Sequence, residues 1–402
     1  MRLLILSQYF WPENFKVNDI AKYFKSKKND VVVITGYPNY PDGKIFSEFL
    51  KNRDLFSYYL RKIKIIRVPV FPRGNNRFFL FFNYLSFLVS ASIYVLYNFK
   101  KLKFDAIFCY GTSPITSAIP GILLGKLKKK PVFLWVLDLW PETLVDLKVT
   151  KLNILLKLIN YIVTFIYNNC TVVFGQSPSI VKQIKKKINN SKKTKCIYLP
   201  SWYETFFDKK KEKIKTKQKF NILYAGNIGE AQDYKTIVSC ASRLKNFKDI
   251  NWTIVGKGRM FKIFQKELKD NKILNNFKFL GIKSSIQMPN IYSRADILII
   301  TLKSGKALSK TIPGRLQTCL ISKRPIVAAA TGEVSRIIRN SKSGLACNSG
   351  NFKILSKNIL KLKNMGMQKR AQYGKNAYNY AKKNFNRNTV LSTLEKNILI
   401  NI

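Results

Sequence analysis

Short, β-branched and apolar runs recur along this chain, separated by stretches with helical spacing, and that alternation decides the fold class. Residues 3–6, 31–35, 64–68, 106–109, 132–137, 171–174 and 196–198 are candidate strands. Their apolar content is nearly continuous, as in strands covered on both faces. Between them Val17, Ile20, Ala21 and Phe24 fall at i, i+3, i+4 and i+7, one face of a helix. The pattern breaks at 209–219, KKKEKIKTKQK, which has almost no apolar residue and reads as a solvated linker. It then restarts, with candidate strands at 221–224, 252–255, 277–280, 296–301, 325–329 and 344–347. Helical stretches at about 353–364 and 370–383 and an apolar tail close the chain. Strands alternating with helices build parallel sheets covered on both sides. The expected architecture is α/β: two doubly wound, Rossmann-like parallel-sheet domains facing a cleft. Their expected spans are 1–205 and 220–385, joined by a basic linker at 206–219. The tail, 386–402, is a candidate to pack back on the first domain. Ligands of such sheets bind at the carboxyl ends of the strands.

Composition removes several function classes. The chain of 402 residues has no histidine, so a Ser-His-Asp triad, a histidine base and a histidine-ligated zinc are excluded. Six cysteines are far apart and form no C-x-x-C pair, as expected for reduced core thiols of a cytosolic protein. Lys+Arg number 72 against 21 Asp+Glu, a formal charge of +51. Such a charge fits biased composition, an anionic membrane surface or nucleic acid. The lysines are spread from end to end and no nucleic-acid-binding motif is present, so nucleic acid is not an expected partner. Met1-Arg2 runs directly into the first apolar run, and no cleaved leader is expected there.

Residues 78–99, FFLFFNYLSFLVSASIYVLYNF, meet the length criterion for a spanning helix and are flanked by Arg73, Arg77, Lys100, Lys101 and Lys103. Asn83, Ser86, Ser90, Ser92 and Asn98 interrupt them, and a strand follows at once. A core helix, an interfacial helix and a span all stay open from sequence alone.

Three strand ends in the second half carry glycine: Gly226-Asn227-Ile228-Gly229, Gly256-Lys257-Gly258 and Gly281. Glycine permits close backbone approach to an anionic ligand, and the recurrence at successive strands suggests a nucleotide or phosphate site. The G-x-G-x-x-G order is absent, and after Leu6 the chain reads SQYFWPEN, against a standard dinucleotide fold. In 306–325, KALSKTIPGRLQTCLISKRP, a helix is expected from about Pro313 with Thr311 as a cap. Lys310 and Arg315 flank its start, a placement that suits a bound diphosphate.

At these residues the chain resembles retaining, GT-B fold glycosyltransferases of the glycosyltransferase 4 type. More narrowly it resembles the bacterial group that includes L-fucosamine transferases of O-antigen and colanic-acid assembly. The carrying segments are SQYFWPEN (7–14), TGYPNYPDG (35–43), VLDLWPETL (136–144), YAGNIGEAQDYKTI (224–237) and SKTIPGRLQTCLISKRPIVAA (309–329). The resemblance implies a nucleotide-sugar donor, UDP-linked, held by the second domain. Gly226, Asn227 and Gly229 would meet the diphosphate. Gly256, Lys257, Gly258 and Gly281 would line the nucleotide site. Lys310, Thr311 and Arg315 would face the phosphates, and Thr318 the ribose or sugar. The paired glutamates of the wider family stand here as Lys310 and Thr318, and its Arg and Lys clamp falls near Asn227 and Gln232. Its glycine turn is Asn14-Phe15, and its first-domain histidine is absent, with Asp138 nearby.

Lys310 and Arg315 would neutralise the departing diphosphate without a metal, since no D-x-D triplet is present to hold one. No cofactor is expected. Asp138 or Glu142 could orient or deprotonate an acceptor hydroxyl; Glu142, after Pro141, also fits a helix first turn. Tyr9, Phe10, Trp11, Glu13, Tyr37 and Tyr40 would form the acceptor side, their aromatic faces suiting sugar rings. The implied acceptor is a lipid-diphosphate-linked sugar, the implied donor sugar an N-acetylated deoxyhexosamine. The implied location is the cytoplasmic face of the bacterial plasma membrane, peripherally bound at its anionic surface. A sugar-nucleotide epimerase and a non-catalytic basic binding protein are the alternatives.

Overall fold

The computed structural model describes residues 1–74, 76–150, 152–208 and 219–402. They group into two compact units. One comprises Met1–Glu142, Thr150–Leu199 and Leu391–Ile402; the other comprises Thr143–Val149 and Pro200–Val390. Most of the linker expected at 206–219 lies outside the described residues.

The first unit is built on eight strands: β1 (Arg2–Leu6), β2 (Asp30–Gly36), β3 (Tyr58–Tyr59), β4 (Ile63–Val68), β5 (Ala106–Gly111), β6 (Val132–Val136), β7 (Val172–Gly175) and β8 (Lys195–Tyr198). Their order is β3-β4-β2-β1-β5-β6-β7-β8. All pairs are parallel except β3 with β4. β3 is not among the sequence-predicted strands, because two residues are too short to show a period. From β4 the chain returns across the sheet to β5 and continues outward to β8, so right-handed crossovers put the intervening helices on one face. Three of them are neighbours. Lys128 at the end of the helix Ile119–Lys128 donates to the Lys100 carbonyl (3.4 Å), just past the helix Arg77–Tyr97. On its other side Lys126 lies over the Phe165 ring (5.0 Å) of the helix Asn153–Asn168.

The helix Arg77–Tyr97 turns one face inward: Asn83, Phe87, Ala91 and Val95 are fully buried. Its polar residues are used internally. Asn83 Oδ1 accepts from Gln8 Nε2 (2.8 Å) and Tyr9 Oη (3.1 Å), and its Nδ2 donates to Asn39 Oδ1 (3.3 Å) and the Phe71 carbonyl (2.6 Å). Ser86 accepts from Phe71 N (2.8 Å), Ser90 donates to the Pro69 carbonyl (2.7 Å), and Asn98 bonds the helix end. Length and apolarity alone would let residues 78–97 cross a membrane. The inner face is nonetheless packed into the domain, the polar cluster tying it to the segments after β1, β2 and β4, as in a domain's outer layer.

The tail is a helix, Arg387–Leu399, whose Leu391, Leu394 and Ile398 are buried. Glu395 accepts from Tyr23 Oη (2.8 Å), and Lys195 donates to Asn401 Oδ1 (3.0 Å).

The second unit holds β9 (Phe220–Ala225), β10 (Ile250–Val255), β11 (Phe277–Phe279), β12 (Ile297–Thr301), β13 (Ile326–Ala329) and β14 (Gly344–Cys347). They are all parallel, in the order β11-β10-β9-β12-β13-β14. One core cluster gathers around Tyr203, Leu316 and Phe385, another around Tyr234, Trp252 and Phe264. This is the doubly wound arrangement expected from sequence, and both units are α/β with parallel sheets.

Asn83→Ala would leave the buried partners at Gln8, Tyr9, Asn39 and Phe71 short of hydrogen bonds and should destabilise the protein by about 3 kcal/mol. Val89→Ala, on the exposed face of the same helix, should cost under about 0.5 kcal/mol. Urea denaturation of the two variants checks the difference, and equal losses would contradict the assigned network.

Candidate functional site

In the second unit the carboxyl ends of β9, β10 and β11 are tied into one edge. Gly226 N donates to the Val255 carbonyl (2.9 Å), Ile228 N to the Lys257 carbonyl (2.9 Å) and Gly256 N to the Gly281 carbonyl (2.8 Å). Glycine is required here for loop-on-loop contact. A Cβ on Gly256, whose φ is +115°, would stand 2.1 Å from the Gly226 carbonyl oxygen, and one on Gly258 2.3 Å from that of Ile228. The structure therefore corrects the expected role of these glycines. The Gly226 and Gly256 amides are spent on neighbouring carbonyls, and the Gly229 amide donates to Gln232 Oε1 (3.0 Å). They hold the loops together rather than standing ready for a phosphate. Asn227 and Lys257 are the exposed side chains of this edge, and Gly281 has open space over its α-carbon.

Arg315 belongs to the same edge. Its helix, Gly314–Ile321, starts after Pro313, so the expected helix is present, but Thr311 does not cap it. Thr311 Oγ1 instead donates to the Ala307 carbonyl (3.2 Å), because the chain turns through Leu308–Lys310 before Pro313. The Arg315 guanidinium folds back over the Tyr224 ring (4.8 Å) and donates through Nη2 to the Thr301 carbonyl (2.5 Å). Its Cδ is 3.5 Å from where a Gly226 Cβ would stand, and its Nη1 is buried without a hydrogen-bond partner among the described residues. Thr318 lies one turn further along the helix, partly exposed. Lys310 does not reach the helix start as expected: its ammonium donates to the Lys306 carbonyl of its own loop.

That loop is held by a residue the sequence reading passed over. Asp146, at the end of the short helix Glu142–Asp146, accepts from the backbone N–H of Lys306 (2.9 Å), Ala307 (2.6 Å) and Leu308 (2.9 Å). Gly305 allows the approach, since a Cβ there would be 2.4 Å from Asp146 Oδ2. No sequence period links positions 160 residues apart; the only signal was an acid on the segment that also carries Glu142.

In the first unit Asp138 follows β6. Its Oδ2 accepts from Ser113 Oγ (2.9 Å), which in turn accepts from Trp140 Nε1 (3.3 Å). Desolvation raises the Asp138 carboxyl above the ordinary carboxylate value, opposed by the Ser113 bond. Glu142 pairs with Lys187 (3.0 Å), which also donates to the Trp140 carbonyl (3.0 Å). Glu142 thus braces the loop after β6 through Oε1, while its Oε2 is buried without a hydrogen-bond partner among the described residues.

The expected acceptor residues separate into two groups. Phe10 is fully buried with its ring edge-on to Tyr59, and Tyr9 is 2% exposed, stacked on Phe15 at 5.2 Å. Neither offers a face to a sugar. Glu13 is also buried, accepting from Phe10 N (3.2 Å), Asn39 N (2.9 Å) and Tyr40 N (2.7 Å), so it pins the loop after β1 to the loop after β2. These three are structural, contrary to the expectation, because the loops fold over the sheet edge and bury their own aromatic residues. Tyr40 is 37% exposed beneath Arg73 (5.2 Å), and Trp11 and Tyr37 are partly exposed.

Residues 204–380, within the second unit, match the family model described as "Glycosyl transferases group 1". The chain is 23% identical over 340 residues to the Escherichia coli (strain K12) protein named "Putative colanic acid biosynthesis glycosyl transferase WcaI", covering 80% of this chain and 81% of that one. Among solved structures, Thermosynechococcus elongatus sucrose-phosphate synthase aligns with a TM-score of 0.76 at 13% identity, covering 98% and 97% of the two chains. Anabaena Alr3699/HepE in complex with UDP and glucose aligns with a TM-score of 0.71 at 14% identity, covering 99% of each. These likenesses establish the fold, GT-B.

Burial raises the Glu13 carboxyl from 4.5 to about 7, its three amide donors and Arg67 only partly offsetting the cost. Between those values the folded protein retains a proton that the unfolded chain has lost. This contribution to stability is full below pH 4.5 and is lost as pH rises through 7. Glu13→Gln should flatten that part of the pH–stability profile, measured by urea denaturation; an unchanged slope would count against it. Asp146→Ala should cost about 2 kcal/mol and speed amide exchange at residues 306–308, read by hydrogen-exchange mass spectrometry.

Proposed function

We propose that this chain is a retaining glycosyltransferase of bacterial surface-polysaccharide assembly, working at the cytoplasmic face of the plasma membrane. Its donor is a UDP-linked sugar, an N-acetylated deoxyhexosamine in the narrowest form of the reading. Its acceptor is a sugar carried on a lipid diphosphate. The observation that carries the reading is Arg315, a cation held over the Tyr224 ring beside Gly226, its Nη1 buried and without an acceptor among the described residues, in the segment that matches the glycosyltransferase group 1 model. The named role of the E. coli relative supports the pathway, and the UDP complex of the Anabaena protein supports the donor class.

The chemistry follows from charge. Breaking the bond between the sugar and the diphosphate leaves negative charge on the departing oxygen. Arg315, partly buried and held over the Tyr224 ring, offers donors in a setting of lowered dielectric, where they are worth more than in water. No metal is needed for that neutralisation. The acceptor hydroxyl forms the new bond to the sugar carbon as the bond to the diphosphate breaks, and its proton passes to the departing phosphate oxygen. Asp138, with a carboxyl shifted upward by burial, is suited to orient that hydroxyl.

Three measurements test this. UDP should raise the unfolding temperature of the wild type, and Arg315→Ala should weaken UDP binding about tenfold or more. Asp138→Asn should leave UDP binding intact and lower transfer by about a hundredfold, with EDTA without effect on the wild type. Mass spectrometry of lipid-linked glycan with a panel of nucleotide sugars identifies donor and acceptor. Turnover of a UDP-sugar with no acceptor present would replace the reading with an epimerase, and normal transfer by both variants would overturn the site.

A further inference from the structure

The helices Arg77–Tyr97 and Asn153–Asn168 leave apolar stripes in water. On the first, Phe78, Phe81, Leu85, Val89 and Ile93 repeat at three- and four-residue spacing on the face opposite the buried Asn83, Phe87, Ala91 and Val95. On the second, Ile154, Leu158, Tyr161 and Phe165 do the same. Ile93 is 63% exposed, Tyr161 72% and Ile154 85%. Both helices belong to the first unit and flank the helix Ile119–Lys128 on one side of its sheet. Exposed large apolar side chains set in rows along two helices mark an interaction surface rather than a purely water-facing one.

Charge identifies what covers it. None of the three helices contains Asp or Glu. Exposed lysines stand around the stripes: Lys100, Lys101 and Lys103 beyond the first helix, and Lys157 within the second. Lys126, Lys129 and Lys130, with Asn169 and Thr171, line a cavity of about 330 Å³ at the shared end of the helices, next to the exposed Leu127 and Phe165. A second copy of a chain carrying +51 would bring two such rims together against their own repulsion. An anionic bilayer meets both features at once, taking the apolar side chains below its headgroups and the lysines among its phosphates.

We propose that this two-helix face docks the protein flat on an anionic phospholipid bilayer, with the lysine-lined cavity receiving a lipid phosphate. The helix Arg77–Tyr97 lies along the surface and does not cross it, because its inner side, with Asn83, Phe87, Ala91 and Val95 fully buried, is committed to the domain. Asn83 also bonds Gln8, Tyr9 and Asn39, so the docked helix is joined directly to the loops after β1 and β2. The inference deepens the membrane-facing part of the proposed function and is independent of the donor site.

The test is co-sedimentation of the full chain with vesicles of phosphatidylcholine alone and of phosphatidylcholine with phosphatidylglycerol. The wild type should bind the mixed vesicles at least about tenfold more tightly. The double variant Ile93→Asp/Ile154→Asp should lose about tenfold or more in binding to them. Lys126→Gln/Lys129→Gln/Lys130→Gln should abolish most of the preference for phosphatidylglycerol. Thermal stabilisation by UDP, read on each variant, should be unchanged, which separates failure of docking from failure of the donor reading or of folding. Equal binding by the wild type and the Ile93/Ile154 variant, or no binding to either vesicle, would overturn the proposal. So would a wild-type dimer that those substitutions dissociate, since the face would then be covered by a second copy.

Discussion

Parallel strand pairing brings every carboxyl end of a sheet to the same edge, and the chemistry of both units depends on that register. In the second unit Ala225 stands level with Val255, so the turns beginning at Gly226 and Gly256 emerge side by side. Loops forced together in this way need small residues where they cross. A side chain on Gly256 or Gly258 would displace a neighbouring carbonyl, which explains glycine at these strand ends without any ligand. The cation is delivered separately, by a helix that begins after β12 and folds Arg315 back across Tyr224.

The first unit solves the same crowding with polar side chains. Buried Glu13 and Asn83 satisfy backbone and side-chain groups from the loops after β1 and β2 and the Phe71 carbonyl after β4. A buried carboxylate and amide can be stable there only because nearly all of their hydrogen-bonding capacity is met. These groups draw the polar residues of the helix inward, so its outward side is almost entirely apolar. One network thus shapes the loops at the sheet edge and leaves the exposed stripe beside them.

Basic composition acquires meaning through this placement. Seventy-two lysines and arginines spread along a chain look like bias, and most of them stand on solvated surface. Around the two apolar stripes the acids are missing from the helices, and the lysines gather at the helix ends. Arg315 and Arg67 are exceptions of a different kind, held over aromatic rings, where a flat guanidinium keeps contact with a ring face and still donates in its plane.

Strand identity, and helix identity where the spacing was clear, was legible in the residues, because continuous apolar runs and i, i+3, i+4 spacing follow from burial on each side of a parallel sheet; among the strands only the two-residue β3 left no trace, and the closing helix Arg387–Leu399 read only as an apolar tail. The helix after Pro313 and the glycine-bearing strand ends were legible for the same local reasons. Exposure was not. Tyr9, Phe10 and Glu13 have the residue types of a sugar site, yet the loops fold over and bury them, whereas Tyr40, in the same kind of sequence, stays at the surface. Nor could spacing show Asp146 holding residues 306–308, the Gly226 and Gly256 amides spent on neighbouring carbonyls, or a second exposed helix beside the first. Periodicity reports which side of an element is apolar; only tertiary packing decides which apolar side is covered and which polar group already has its partner.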